Sequence, residues 1–216
     1  MTSTRMPYVI GNWKMNLDVE SAMELAEASA EMANDTAGAV GVGVAIPYPW
    51  IPLISSELFD SNLLVGAQDV SAQTNGAHTG DVSAAMLSPW CAFTIVGHSE
   101  RRQNHGESND LVRAKLDAVL ANDMAPVLCV GESQAERNDG RAFEVVSAQL
   151  TSALGHIAGP DLEGILIAYE PVWAIGTGIT ATPAAAQEMA AHIRAYLESI
   201  DVAAGARVPI LYGGSV

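Results

Sequence analysis

Ala168-Tyr169-Glu170-Pro171-Val172-Trp173-Ala174-Ile175-Gly176-Thr177-Gly178 decides how the rest of this chain is read. The apolar run leading into it, Ile165-Leu166-Ile167-Ala168-Tyr169, has the make-up of a parallel strand covered on both faces. Such a strand carries Glu170 to its C-terminal edge, where parallel α/β sheets place their chemistry. Pro171 fixes a backbone angle at the start of the following loop. Gly176 and Gly178 admit angles at its end that other residues resist. The tip between them, Val172-Trp173-Ala174-Ile175, is apolar. A stiff start, an apolar tip and a permissive end suit a lid that closes over a base and keeps water out.

Outward from this segment the chain alternates strands and helices with no obvious linker, and residues 1–216 read as a single domain. Short, β-branched apolar runs predict strands at Tyr8–Asn12, Val40–Ile46, Leu63–Ala67, Ala92–Val96, Ala125–Val130, Ile165–Tyr169 and Pro209–Tyr212. Val19, Met23, Ala26 and Ala30 mark one face of a first helix. Leu111, Ala114, Lys115 and Ala118 fall on one side of a later helix whose apolar stripe is Leu116, Val119 and Leu120. Thr182-Pro183 is an N-cap with proline at the first helical position, opening a helix to about Ser199. Repeated βα units make this an α/β chain, either an eight-fold barrel or an open doubly wound sheet. No Gly-x-Gly-x-x-Gly follows the first strand, which disfavours a dinucleotide-binding sheet.

The balance of 25 acidic against 10 basic residues gives a net charge of −15. Nucleic acid and anionic membrane are therefore poor partners. A phosphate-bearing substrate is repelled only at long range, because screening cuts in at about 8 Å in physiological salt. Two cysteines, Cys91 and Cys129, make no disulfide framework, and no apolar run reaches the ~20 residues that span a bilayer. The N-terminus shows no signal-type apolar region, so the expected location is the cytoplasm.

Three other strand ends carry polar clusters. Gly11-Asn12-Trp13-Lys14 places an ammonium beside a side-chain amide, able to neutralise a phosphate or a developing oxyanion. Val96-Gly97-His98-Ser99-Glu100 places a histidine at a helix N-terminus, where the ring can stay neutral and still donate a hydrogen bond. Tyr212-Gly213-Gly214-Ser215 suits convergence of backbone N–H groups on an anion. Cys129-Val130-Gly131-Glu132 reads as structural, a buried thiol and a glutamate that caps or pairs, and Arg101 and Arg102 read as partners in ion pairs. His78, His105, His156 and His192 lack metal-ligand spacing, so no metal is expected.

Taken together, these four strand-end motifs resemble those of the triosephosphate isomerase family, in family order and over essentially the whole chain. The resemblance implies a (β/α)8 TIM barrel and a cofactor-free, metal-free interconversion of dihydroxyacetone phosphate and D-glyceraldehyde 3-phosphate, in glycolysis and gluconeogenesis. It implies Glu170 as the base, His98 as the neutral electrophile and Lys14 as the electrostatic clamp. Asn12 then supports Lys14, and Glu100 lies close to it. Gly176 and Ser215 offer backbone N–H groups to the phosphate, and Tyr212 hydrogen-bonds the closed lid. The segment from Gly66 to Asp81 resembles the family's interdigitating loop, which implies a homodimer in which Thr79 reaches the partner subunit's site.

The sequence departs from the family pattern at His78, Asp81, His105 and the stretch Leu87-Ser88-Pro89-Trp90-Cys91. It also lacks the family's eighth βα unit with its Gly-Gly phosphate loop. The expectation is a C-terminally incomplete copy in which the first and seventh strands are open edges and Arg194 has lost an acidic partner. Two other readings are another phosphate-binding barrel, such as a sugar-phosphate epimerase or ring-closing synthase, and an inactive binding protein that kept the scaffold. The first lacks metal ligands and leaves the Glu170 lid unexplained. Retention of Lys14, His98 and Glu170 argues against the second.

Overall fold

All six residues of Gly41–Ile46 are buried, as are all four of Phe93–Val96 and of Leu166–Tyr169. This is the pattern of strands with apolar cover on both faces. The computed structural model describes residues 5–175 and 180–214. Its elements run β1 (Tyr8–Asn12), α1 (Val19–Asp35), β2 (Gly41–Ile46), α2 (Ile51–Glu57), β3 (Leu64–Ala67), α3 (Ala84–Leu87), β4 (Phe93–Val96), α4 (Ser99–His105), α5 (Asn109–Leu120), β5 (Ala125–Val130), α6 (Gln134–Asn138), α7 (Ala142–Leu154), β6 (Leu166–Tyr169), α8 (Pro183–Ile200), α9 (Val202–Gly205) and β7 (Ile210–Tyr212). Each strand ends at the residue read from the sequence and starts at most one residue later.

The chain divides into two compact units. One comprises Thr4–Val96 with Asp117–Pro126. In it β1, β2, β3 and β4 pair in chain order, all parallel. Gly66 makes room for the Phe93 ring of the neighbouring strand, where a Cβ would sit 2.4 Å from the ring carbons. Helix α1 opens on Asp18, whose side chain accepts from the Ser21 N–H. Its buried stripe is Ala22, Ala26, Ala30 and Ala33, and Val19 lies exposed. The expected face thus holds for its two alanines only. Small side chains let the helix backbone approach the sheet, and the longer residues turn outward.

The other unit comprises Gly97–Leu116 with Val127–Val216. Here β5, β6 and β7 pair in parallel, with Cys129 opposite Ala168 and Tyr169 opposite Tyr212. Helix α8 begins as expected, with the Thr182 hydroxyl accepting from the Ala185 N–H ahead of Pro183. On α5, Lys115 is buried rather than on a polar face. Its Nζ donates to Glu107 Oε1 at 2.5 Å, and Arg101 Nε donates to the same oxygen at 2.6 Å. A buried cation is tolerable only with such a partner. Arg194, expected to have lost its partner, donates instead to the carbonyls of Gly205 and Val208. No described helix is long and apolar enough to cross a membrane.

Candidate active site

The turn from β4 into α4 places the histidine. Gly97 has φ +70°, and a Cβ there would lie 2.8 Å from Val112. Both the angle and the space therefore require glycine at this turn. His98 follows as the N-cap of α4, its Nδ1 accepting from the Glu100 N–H at 3.2 Å. A ring nitrogen that accepts carries no proton, which leaves Nε2 as the donor nitrogen of this ring. That Nε2 lies 3.1 Å from Glu170 Oε1. The Glu100 carboxylate stands 3.7 Å from Nδ1 on the other side of the ring.

Glu170 sits one residue past β6 and is only 5% exposed. Its Oε2 accepts from the Ser99 N–H at 2.9 Å. The carboxylate is thus held by one backbone donor, with the His98 Nε2 beside its other oxygen. The Cys129 thiol lies against it. Burial first, then the charge and hydrogen bonding of Glu170, push that thiol well above the usual range, so it stays protonated. Gly213 packs on the same carboxylate, where a Cβ would lie 3.2 Å from Glu170 Cγ. The Gly213 N–H, read as a possible anion donor, is taken by the Tyr169 carbonyl at 2.8 Å. Tyr212 packs edge-on against Tyr169, ring centroids 6.3 Å apart.

The start of the lid segment is anchored at Glu132. The Val172 N–H donates to the Glu132 carbonyl at 3.1 Å, and Trp173 Nε1 donates to its carboxylate at 2.9 Å. Tyr169 Oη and Arg137 Nη1 donate to the same group at 3.1 and 3.0 Å, and the Arg137 guanidinium lies over the Trp173 ring. Reading Glu132 as a pairing residue was correct, but nothing in the local sequence tied it to Trp173, 41 positions away.

Asn12 and Lys14 lie in the other compact unit, at the end of β1. The Lys14 N–H donates to Asn12 Oδ1 at 2.9 Å. Lys14 has φ +52°, a left-handed conformation that costs a lysine roughly 1–2 kcal/mol. Gln68 holds it there, its Nε2 donating to the carbonyls of Lys14 and Ala45 at 2.8 and 3.0 Å. No local pattern around Gln68 points to this role. Thr79 lies within an exposed loop, 73–81. That loop is braced by Ser71 Oγ donating to Asp81 and by Ser71 N–H donating to Val82 O. Gly176 and Ser215 lie outside the described residues.

The family model described as "Triosephosphate isomerase" matches residues 7–216. A triosephosphate isomerase of Herminiimonas arsenicoxydans is 47% identical over 98% of this chain and 85% of its own length. One of Rhodococcus jostii is 44% identical over 98% of this chain and 83% of its own. A crystal structure of triosephosphate isomerase from Bartonella henselae superposes with a TM-score of 0.86 at 36% identity, over 97% of this chain and 83% of that one. With the parallel pairing within each unit, that likeness gives the fold class as an α/β TIM barrel. The chain belongs to the triosephosphate isomerase family.

Proposed function

We propose that this chain interconverts dihydroxyacetone phosphate and D-glyceraldehyde 3-phosphate, with Glu170 as base, His98 as electrophile and Lys14 as clamp. The observation that carries the reading is the 3.1 Å approach of His98 Nε2 to Glu170 Oε1, at a ring whose Nδ1 accepts from backbone. A neutral imidazole with its proton on the inward nitrogen can donate to a substrate carbonyl without first losing charge. Glu170 takes a proton from the carbon beside that carbonyl. The C–H electron pair becomes the enediolate double bond, and the carbonyl oxygen gains the negative charge beside His98. A proton passes between the two oxygens by way of His98, and Glu170 returns its own to the former carbonyl carbon. Atoms and electrons balance within the substrate, so the steps call for no external oxidant. Substrate binding must exchange the hydrogen bond that Glu170 accepts from the Ser99 N–H, which a neutral donor allows at low cost.

Glyceraldehyde 3-phosphate turnover by the intact protein tests this. Glu170→Gln is expected to lower kcat by roughly 10²–10⁴-fold with an unchanged melting temperature. A variant that turns over normally would remove Glu170 from the reaction.

The homodimer belongs to the same proposal. The loop at 73–81 is exposed yet internally braced, and Met15 and Met86 stand 95% and 61% exposed. Large bare apolar side chains of this kind favour a protein partner. Sedimentation as a two-chain species that Thr79→Arg converts to single chains would support the contact, and a fully active monomer would overturn it. Two buried free cysteines and the triose phosphate substrate suit a role in cytoplasmic glycolysis and gluconeogenesis.

A further inference from the structure

We propose that Gln149 is a positioning residue for Glu170 and acts through Gly131. This rests on the reading of Glu170 as the base. Gln149 lies on α7, whose Val146, Leu150, Ala153 and Leu154 are buried and anchor the helix. Its side-chain amide holds both backbone groups of a single residue. The Gly131 N–H donates to Gln149 Oε1 at 2.8 Å, and Gln149 Nε2 donates to the Gly131 carbonyl at 3.0 Å. The amide thus stands in for a strand edge just past the end of β5.

Gly131 is where Glu170 is touched from behind. The Glu170 N–H donates to Val130 O at 2.8 Å, and the Val172 N–H donates to Glu132 O at 3.1 Å. Gly131 lies between those two rungs. Its Cα faces Glu170 so closely that a Cβ would lie 1.8 Å from the Glu170 carbonyl oxygen. Only glycine fits, and the two segments must shift together. Gly131, Gln149 and Glu170 all line one cavity of about 250 Å³. That cavity leaves the segment room to move once the amide lets go. A reacting group displaced by about 1 Å can cost ~10²-fold in rate.

Gln149→Met keeps the side-chain length and loses both hydrogen bonds. Gln149→Glu keeps the acceptor for the Gly131 N–H and regains the donor when protonated. In the intact protein, Gln149→Met is expected to lower kcat roughly ten- to a hundredfold with KM held within about twofold. Gln149→Glu should fall between it and the unaltered protein, and its kcat relative to the unaltered protein should rise as pH is lowered. A Gln149→Met enzyme with full kcat overturns the inference, as does a loss shared equally by KM that the glutamate does not relieve. Should Gln149→Met fail to fold, the pH profile of Gln149→Glu decides, and a flat ratio overturns the inference. Glu170→Gln is measured alongside. If it keeps turnover, the base assignment fails. If it is inactive while Gln149→Met is unimpaired, only the positioning role fails.

Discussion

Glu132 and Glu170 are both buried glutamates just past the ends of neighbouring parallel strands, yet their surroundings fit them for opposite tasks. Glu132 has no exposed surface and is tied by a guanidinium, an indole N–H and a phenol hydroxyl. The Tyr169 hydroxyl is in turn pushed up, first by burial and then by the Glu132 charge, so it remains a donor at any ordinary pH. Glu170 accepts from a backbone N–H and has His98 Nε2 3.1 Å away, and among the described residues no lysine or arginine donates to it. A carboxylate saturated by a cation and two fixed donors is a strut. One held by exchangeable neutral donors can be handed to a substrate. Both are glutamates at the C-terminal edge of the sheet, and the partners make the difference.

The contrast breaks most sharply under matched substitutions. Glu170→Gln should cost about 10²–10⁴-fold in kcat and leave melting unmoved, whereas Glu132→Gln should cost under about tenfold in kcat and lower the melting temperature. Steady-state kinetics and thermal unfolding of the pair check this, and a catalytic loss at Glu132 as large as at Glu170 would erase the distinction. Removing the strut altogether sharpens it. Glu132→Ala strands the Tyr169, Trp173 and Arg137 donors and should cost about 2–3 kcal/mol in denaturant unfolding, the partly exposed guanidinium being re-solvated in part.

A third buried carboxylate extends the comparison to pH. Burial alone would raise the Glu107 carboxyl, but hydrogen bonds from Lys115 and Arg101 hold it below its ordinary 4.5. A folded value below the unfolded one means stability that is complete above pH 4.5 and is lost as pH falls through the folded value. Unfolding midpoints of the unaltered protein should therefore drop more steeply below that pH than those of Glu107→Gln. Parallel curves would show that the cluster carries no acid-linked stability. The smallest expected effect is a null one. Burial pushes the Cys91 thiol up to about 12, and Cys129 is also raised by burial. Iodoacetamide at pH near 8 should label neither thiol in the native protein by mass spectrometry, and labelling of Cys129 would mean that the surroundings of Glu170 open readily.

Much of the fold was legible because doubly covered parallel strands are continuous apolar runs, a local signal. Leu166–Tyr169 and Ala125–Val130 announce themselves in this way, as does Thr182-Pro183 at the head of α8. The candidate site residues were legible for a related reason. A polar residue that ends such a run, as Glu170 and His98 do, is placed by the strand itself. Helix faces were less so. On α1, alanine and valine are both apolar, and periodicity could not tell which would face the sheet.

By itself, then, the sequence determined the order of strands and helices and the strand ends at which Asn12, His98, Glu170 and Tyr212 stand. Tertiary structure alone decided what supports them. Gln68 holds Lys14 from 54 positions away, Gln149 holds Gly131 from 18, and Glu132 reaches Trp173 across 41. The reason is one of range. Burial patterns repeat along the chain at the period of a strand or a helix, so neighbours in sequence report them. A hydrogen bond to a polar side chain depends only on where two distant backbones come to lie, and no local period carries that information.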